Sequence, residues 1–421
     1  MADFTFLHAA DLHLDTPFDG IDARDEAVAA ALRDASLSAW DRLVAAAIER
    51  GVAFVLLAGD LYDGPERGIR AQLRFRHGLE RLDRAGIGVF VVHGNHDPVE
   101  EGWSALRDLP KNVHVFPPGD PTAVPFVRGG ATLALIHGAS FGRRAETRNL
   151  AAGFRRAPAA AFQVGLLHCN VEGQRGHDPH APCSLADLRA AGMDYWALGH
   201  VHRRQTIATD PWVVYPGNLQ GRSHKPSECG EKGAVLVRVA GGAVADVAFL
   251  PLAPIRFEAV EVDVAGLADV AALERRLHDA IAPALPAPGV EGVVARAAIF
   301  GRGPVHRDLR VDGGEGLRAA LADAAAGARP WVHWDRIEVR TGAPVDRAAL
   351  LAREDFAGAL LRRLDALRAD EAALGALLSQ VDEELRRGEL ARLVEAPGAG
   401  EALALLDAAE ALAIDAFGGE A

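Results

Sequence analysis

The sequence predicts a layered α/β fold across roughly the first 250 of its 421 residues, followed by a small α+β unit and a helical C-terminal region. Three observations carry that prediction. Short apolar runs alternate with amphipathic stretches through roughly the first hundred residues, as strands alternate with covering helices. Beyond Leu133 the apolar runs crowd together with fewer helical stretches between them, as a second sheet would. The composition, 49% hydrophobic and 24% charged, is that of a chain able to build a large core.

Taken in order, Phe4 to Ala10 reads as a strand and Ser36 to Arg50 as a helix with Trp40, Leu43, Val44, Ala47 and Ile48 on one face. Val52 to Ala58 is continuously apolar, which suits a strand covered on both faces. Ile69 to Ala85 reads as a helix and Val89 to His93 as the next strand. Leu133 to His137, Gln163 to His168, Tyr195 to Leu198, Trp212 to Tyr215 and Ala234 to Val239 supply the second sheet. Prolines at 251 and 254 mark a boundary. Strand patterns at Arg256 to Val264, Val293 to Phe300 and Val332 to Arg340, with a helix at Leu267 to Ile281, follow it. The rest is rich in helix formers, with an apolar stripe through Leu350, Leu351, Phe356, Leu360, Leu361 and Leu364 and later stripes from Leu374 to Leu385 and from Leu403 to Phe417. The expected domains are therefore 1–250, 255–344 and 345–421.

The net charge of −13 excludes a protein that coats nucleic acid through a uniformly basic surface. It does not exclude a nuclease whose metal ions supply the positive charge. Arg143-Arg144, Arg148, Arg155-Arg156, Arg203-Arg204 and Arg222 to Lys225 are local basic segments that fit phosphate contact. No run of about 18 apolar residues is present, so no membrane span is expected. The N-terminus enters a strand pattern without a basic region or cleavage site, which predicts a cytoplasmic protein. Cys169, Cys183 and Cys229 match no zinc-knuckle spacing and fit a reducing compartment.

The chemistry lies at the ends of the apolar runs. Asp11 and His13 follow the first, Asp60 the second, and Asn95 and His96 the third. His168 ends a further run, and His200 and His202 follow Tyr195 to Leu198. Singly, each has an ordinary explanation as a turn carboxylate, a cap or a satisfied strand-end histidine. Together, the oxygen and imidazole donors point to one pocket holding two metal ions. In Asp-x-His and His-x-His, strand alternation would place both side chains on one side. Asp60 closes a buried run, where a carboxylate needs a cation, and it is the natural ligand to share. Gly94 permits the turn that presents Asn95 and His96, and Asp97 is placed to orient His96. Donors without thiolate suit manganese, iron or zinc. Asp63 reads equally as turn chemistry, and His177, His180, His224, His306 and His333 read as surface or supporting residues.

This set resembles the calcineurin-like metallophosphoesterase superfamily, whose pattern D-x-H, G-D, G-N-H-[DE], H and G-H-x-H is filled at every ligand position. Ala10 to Asp15, Ala58 to Asp63 and Tyr215-Pro-Gly-Asn-Leu-Gln-Gly-Arg222 are similar to its bacterial DNA repair exonuclease branch, of SbcD and YhaO type. Glu228 to Gly233 continues the similarity. The resemblance implies a four-layer sandwich of two facing mixed sheets flanked by helices, with a small capping domain and a helical tail. It implies hydrolysis of DNA phosphodiester bonds by a metal-bridged hydroxide, most readily with manganese. Asp11, His13, Asp60 and His202 would hold one ion, and Asp60, Asn95, His168 and His200 the other. His96 would act at the scissile phosphate with Asp97 behind it. Arg203, Asn218 and Arg222 are the candidates for substrate contact. The partners expected are DNA, a coiled-coil ABC-type ATPase subunit and a second copy of the chain. Asp63 stands where a relative can carry histidine, which bears on how DNA is positioned. The same motifs also serve phosphodiesterases or phosphatases acting on small molecules such as cyclic nucleotides, and a further alternative is a non-catalytic DNA-end-binding scaffold for an ATPase.

Overall fold

The computed structural model describes residues 3–16, 18, 26–64, 68–101, 109–158, 161–173, 178–286, 289–325, 327–386 and 399–417, so His177 lies outside the described residues. Its first strands, β1 (Phe4–Ala9), β2 (Phe54–Ala58), β3 (Gly88–Val92) and β4 (Val113–Val115), pair in parallel in that order. In β2, alternation sends Phe54, Leu56 and Ala58 to one core and Val55 and Leu57 to another, and all five are buried. That is why the run reads as unbroken hydrophobicity.

The second sheet holds β5 (Thr122–Arg128), β6 (Ala131–Ala139), β7 (Phe162–His168), β8 (Tyr195–Gly199), β9 (Gln205–Thr209) and β10 (Trp212–Tyr215). Its order is β5-β6-β7-β8-β10-β9, with β6, β7, β8 and β10 parallel and the two edge strands antiparallel. The chain then returns to the first sheet through β11 (Gly233–Ala240), antiparallel to β1, and ends that sheet with β12 (Ala243–Pro251). Both sheets are mixed.

Three cores set the layers. Phe6, Phe54, Leu56 and Phe90 meet Ile136, Val164, Leu166, Tyr195 and Ala197 between the sheets. On the far face of the first sheet, Leu7, Val55, Leu57, Val89 and Val91 pack under α1 (Glu26–Glu49) and α2 (Ile69–Arg84) through Trp40, Leu43, Val44, Phe75, Leu79 and Leu82. Leu167, Trp196, Leu198 and Val213 pack on the far face of the second sheet against Phe154 and Leu188, the latter from α3 (Leu185–Ala191). The result is helix, sheet, sheet, helix: the four-layer sandwich. Burying each large side chain contributes about 1.5–3 kcal/mol.

Some elements differ from expectation. Helix α1 begins at Glu26 instead of Ser36, because Val28, Leu32 and Ala35 extend the buried face into an alanine-rich stretch of weak amphipathicity. Ile48, assigned to that face, is 37% exposed. Strands β4, β5, β9 and β12 were not expected; they are edge strands, largely half-buried or exposed, and β5 contains Pro125, while β11, expected in the second sheet, pairs with β1 in the first.

Beyond the sandwich lie β13 (Ile255–Asp263), α4 (Val270–Ile281), β14 (Gly292–Arg302), α5 (His306–Leu309), α6 (Glu315–Ala324) and β15 (Trp331–Gly342), with sheet order β13-β14-β15. Then come α7 (Arg347–Leu351), α8 (Phe356–Ala369), α9 (Glu371–Arg386) and α10 (Ala399–Phe417). The chain divides into two compact units: Met1–Val260 with Leu277–Ala297 and Arg318–Ile337, and Glu261–Arg276 with Ala298–Leu317 and Glu338–Ala421. In the second, Leu350, Leu361, Leu364, Leu374, Leu406 and Ile414 form a core. Phe356, placed on that stripe by its spacing, is the first residue after the Asp355 cap and is 63% exposed. Among the described residues no helix is long and apolar enough to cross a membrane.

Candidate metal centre

Each donor sits at or just past the carboxyl end of a parallel strand, where open α/β sheets place their ligands. At four of the donors the backbone is not extended. Asp11 (φ 50°), His13 (φ 41°), Asp60 (φ 50°) and His200 (φ 101°) all adopt left-handed conformations, which cost about 1–3 kcal/mol each outside glycine. The alternation expected to align Asp11 with His13 and His200 with His202 therefore does not operate. Tight turns aim these side chains, and the turns brace one another: Asp11 and His13 donate backbone N–H bonds to the Gly59 and Asp60 carbonyls at 3.1 and 3.0 Å. Two glycines make the approach feasible. A Cβ on Gly94 would lie 2.2 Å from Asp60 Oδ1, and one on Gly199 would lie 1.8 Å from the Ala58 carbonyl oxygen.

The donors gather on two sides of Asp60 and Asp11, with Asp11 grouped both with His13 and His202 and with Asp60 and His168. On one side, His13 Nε2 lies 3.3 Å from His202 Nε2 and 3.9 Å from Asp60 Oδ2. Ligand atoms of Asp11, His13 and His202 all fall within 4.8 Å of one another. On the other, His168 Nε2 lies 3.4 Å from the same Asp60 oxygen and 3.0 Å from Asn95 Oδ1, and the His200 ring stands 5.2 Å from the His168 ring. Asp11, His13, Asp60, Asn95, His168 and His200 are buried.

The outward ring nitrogens are engaged by oxygen. His202 Nδ1 donates to Glu228 at 2.5 Å, His168 Nδ1 to the Ala58 carbonyl at 2.9 Å, and His200 Nε2 to the Asp178 carbonyl at 2.9 Å. Committing one nitrogen as donor leaves the other as a lone pair facing the pocket, the arrangement that metal-ligating histidines adopt.

Electrostatics favour the same reading. Burial, reinforced by Asp60, pushes the Asp11 carboxyl well above the usual range, and burial pushes Asp60 up to about 7. Burial also lowers His13 and His168 to about 3, so both are neutral and able to bind a cation. Two buried carboxylates beside neutral imidazoles and an amide oxygen are relieved by cations. The residues present therefore fit a pair of divalent ions.

The surroundings differ from expectation. Asp97 does not touch His96. It accepts from the Gly94 and Leu61 backbone N–H groups at 2.8 and 2.9 Å and lies 3.3 Å from His93 Nδ1, bracing the turn beneath the donors. His96 pairs instead with Asp63, which also lies 3.7 Å from His13 Nδ1 and accepts from Arg222 at 2.8 Å. Burial would raise Asp63, but the neighbouring His13 and His96 rings outweigh it and hold its carboxylate well below the usual range. Asn218 is wholly buried and gives its amide hydrogens to the Gln220 carbonyl and to Glu228, so its amide nitrogen supports Glu228. Arg203 is exposed, and Arg222 stands at the rim. His180, read as a surface or supporting residue, lies with its ring 5.5 Å from that of His200. Asp63 and Glu228 were thus missed as partners of the candidate residues; the only signal was their place in Gly-Asp-Leu-Tyr-Asp and Glu-Cys-Gly-Glu-Lys-Gly.

A four-layer sandwich with shared-carboxylate donors at its strand ends defines a metallophosphoesterase, and this chain belongs to the calcineurin-like phosphoesterase family, whose profile matches residues 4–204. The profile of the middle domain of metallophosphoesterase YhaO matches residues 257–342. The uncharacterized metallophosphoesterase YhaO of Bacillus subtilis is 40% identical over 280 residues, covering 66% of this chain and 68% of that protein. The DNA double-strand break repair protein Mre11 of Aeropyrum pernix is 29% identical over 51% of this chain and 53% of its own length. Mre11 of Haloferax volcanii is 28% identical over 68% of this chain and 66% of its own length. These relatives agree with the branch expected from the motifs. The family uses divalent metals, so the chain is a metal-dependent hydrolase of phosphate esters.

Proposed function

We propose that the chain is a two-metal DNA phosphodiesterase, acting as a repair exonuclease with manganese. The observation that carries this is the convergence of oxygen and imidazole donors from both sheets, with Asp60 Oδ2 lying between His13 and His168 and Asp11 grouped with the donors on either side. The relatives named as DNA double-strand break repair proteins support DNA as the substrate.

Asp11, His13, Asp60 and His202 would hold one ion, and Asp60, Asn95, His168 and His200 the other. Bound divalent ions supply Lewis acidity, neutralising the phosphate and lowering the pKa of the attacking water. Glu228 fixes the His202 tautomer and Ala58 that of His168, so each ring presents its free nitrogen inward. His96, held by Asp63 at the partly exposed rim, carries its proton to the departing oxygen. Arg222, on the other Asp63 oxygen, meets the phosphate backbone. Residues 1–250 form the catalytic domain in this reading, 255–344 a cap, and 345–421 the docking region for a coiled-coil ABC-type ATPase.

End-labelled DNA, cyclic nucleotides and an aryl phosphodiester, each with manganese and with or without the ATPase subunit, test the proposal. Degradation of DNA from its ends, lost on Asp60→Ala, is expected. Turnover confined to the small esters would replace DNA by a small-molecule substrate, and metal-independent DNA binding without cleavage would leave only a scaffold.

A further inference from the structure

His224, read from the sequence as a surface or supporting residue, lies outside the donor set but only two residues beyond Arg222. The stretch from Arg222 to Ser227 is neither helix nor strand. Lys225 and Pro226 are exposed there, as loop residues usually are, yet the His224 side chain is only 4% exposed. A loop residue that buries its ring is fixing something.

The ring is held by residues of three strands, all within the first compact unit. Its Nε2 donates to the Val294 carbonyl of β14 at 3.3 Å, and its Nδ1 lies 3.8 Å from Asp335 Oδ2 of β15. The ring stands edge-on to Phe257 of β13 at 5.3 Å. Asp335 is itself tied to Arg296 at 2.5 Å, which fixes that wall of the slot. Burial lowers the His224 pKa, so near neutrality the ring holds this place uncharged. At the other end of the stretch, the Arg222 backbone N–H donates to Glu228 at 2.9 Å and its guanidinium to Asp63 at 2.8 Å. The loop closes where the Glu228 and Cys229 N–H groups donate to the Lys225 carbonyl at 2.8 and 3.2 Å. Between these ties His224 anchors the backbone that carries Arg222.

We infer that His224 is a positioning residue for substrate: seated against β13, β14 and β15, it fixes the backbone from which Arg222 reaches the phosphate backbone of a polynucleotide. The inference rests on the reading of Arg222 as a phosphate contact. Arginine is long and has many rotamers, so a preset backbone lessens the ordering that binding must impose. Because His224 acts through Arg222, its effect falls on binding and not on the chemical step.

The test is steady-state cleavage of an end-labelled oligonucleotide by the full chain with manganese, at fixed ionic strength. His224→Ala is expected to raise KM roughly tenfold with kcat and metal content unchanged. Turnover of an aryl phosphodiester, which lacks a phosphate backbone, should stay the same. His224→Gln, whose amide N–H reaches about as far as Nε2, should restore KM. In an Arg222→Ala background, His224→Ala should add nothing, since it acts through that guanidinium. Should His224→Ala fail to fold, His224→Asn, too short to reach the Val294 carbonyl, carries the same comparison. If the parent chain cleaves DNA but KM stays normal in the variant, or rises equally without Arg222, the inference alone is overturned. A fall in kcat and metal content in place of the rise in KM overturns it too, because it marks a purely structural role. A parent chain inactive on DNA overturns the proposed function and this inference together.

Discussion

Asp63 shows how much rests on a single carboxylate outside the donor set. It lies against His96, His13 and Arg222 at once, linking the residues proposed to donate the proton, to hold a metal and to meet the phosphate. Asp63→Asn is expected to lower kcat on an aryl phosphodiester by roughly 10–100-fold with metal content unchanged, and His96→Ala by about 10²–10⁴-fold. Elemental analysis beside steady-state kinetics checks both, and unaltered kcat in His96→Ala would remove that residue from the chemistry. Glu228→Gln should weaken manganese affinity about 10–100-fold by releasing the His202 ring, which a metal titration measures. The donors were legible in the sequence because Asp, Asn and His at the ends of apolar runs are chemically out of place. Their supports were not. Asp97 and Asn218 looked like site residues, yet they hold backbone and Glu228, because whether a polar side chain faces pocket or protein depends on turn geometry that periodicity does not encode.

At the level of elements, the buried strands were easy to read and the edges were not. β2 and β8 are apolar on both faces, so each residue reports its own burial. β5 and β12 face solvent on one side and carry mixed composition, so nothing in their sequence separates them from loops. The strand ends are the critical joints. Gly94→Ala would push a methyl group into Asp60 and the His168 ring, and the expected outcome is loss of bound metal together with a lower Tm, followed by calorimetry. Phe54→Ala, in the core between the sheets, should cost about 3–5 kcal/mol in a denaturant titration without touching the donors.

For the molecule as a whole, metal and proton compete for the same carboxylates. In the metal-free chain burial holds Asp60 up to about 7, while His13 and His168 are already neutral far below that. Metal binding near neutrality must therefore expel a carboxyl proton, so manganese affinity should rise with pH through about 7 and fall on acidification. A titration calorimeter run in buffers of different ionisation enthalpy reads the released proton directly, and pH-independent affinity would contradict the assignment. The division of ligands has a mechanical side as well. Asp11, His13, Asp60 and Asn95 follow strands of one sheet, whereas His168 ends and His200 and His202 follow strands of the other. Cations seated between them would rivet the two leaves of the sandwich at its mouth. Chelation should then loosen that end first, with faster amide exchange at the tips of β2 and β8 while the far rim stays protected.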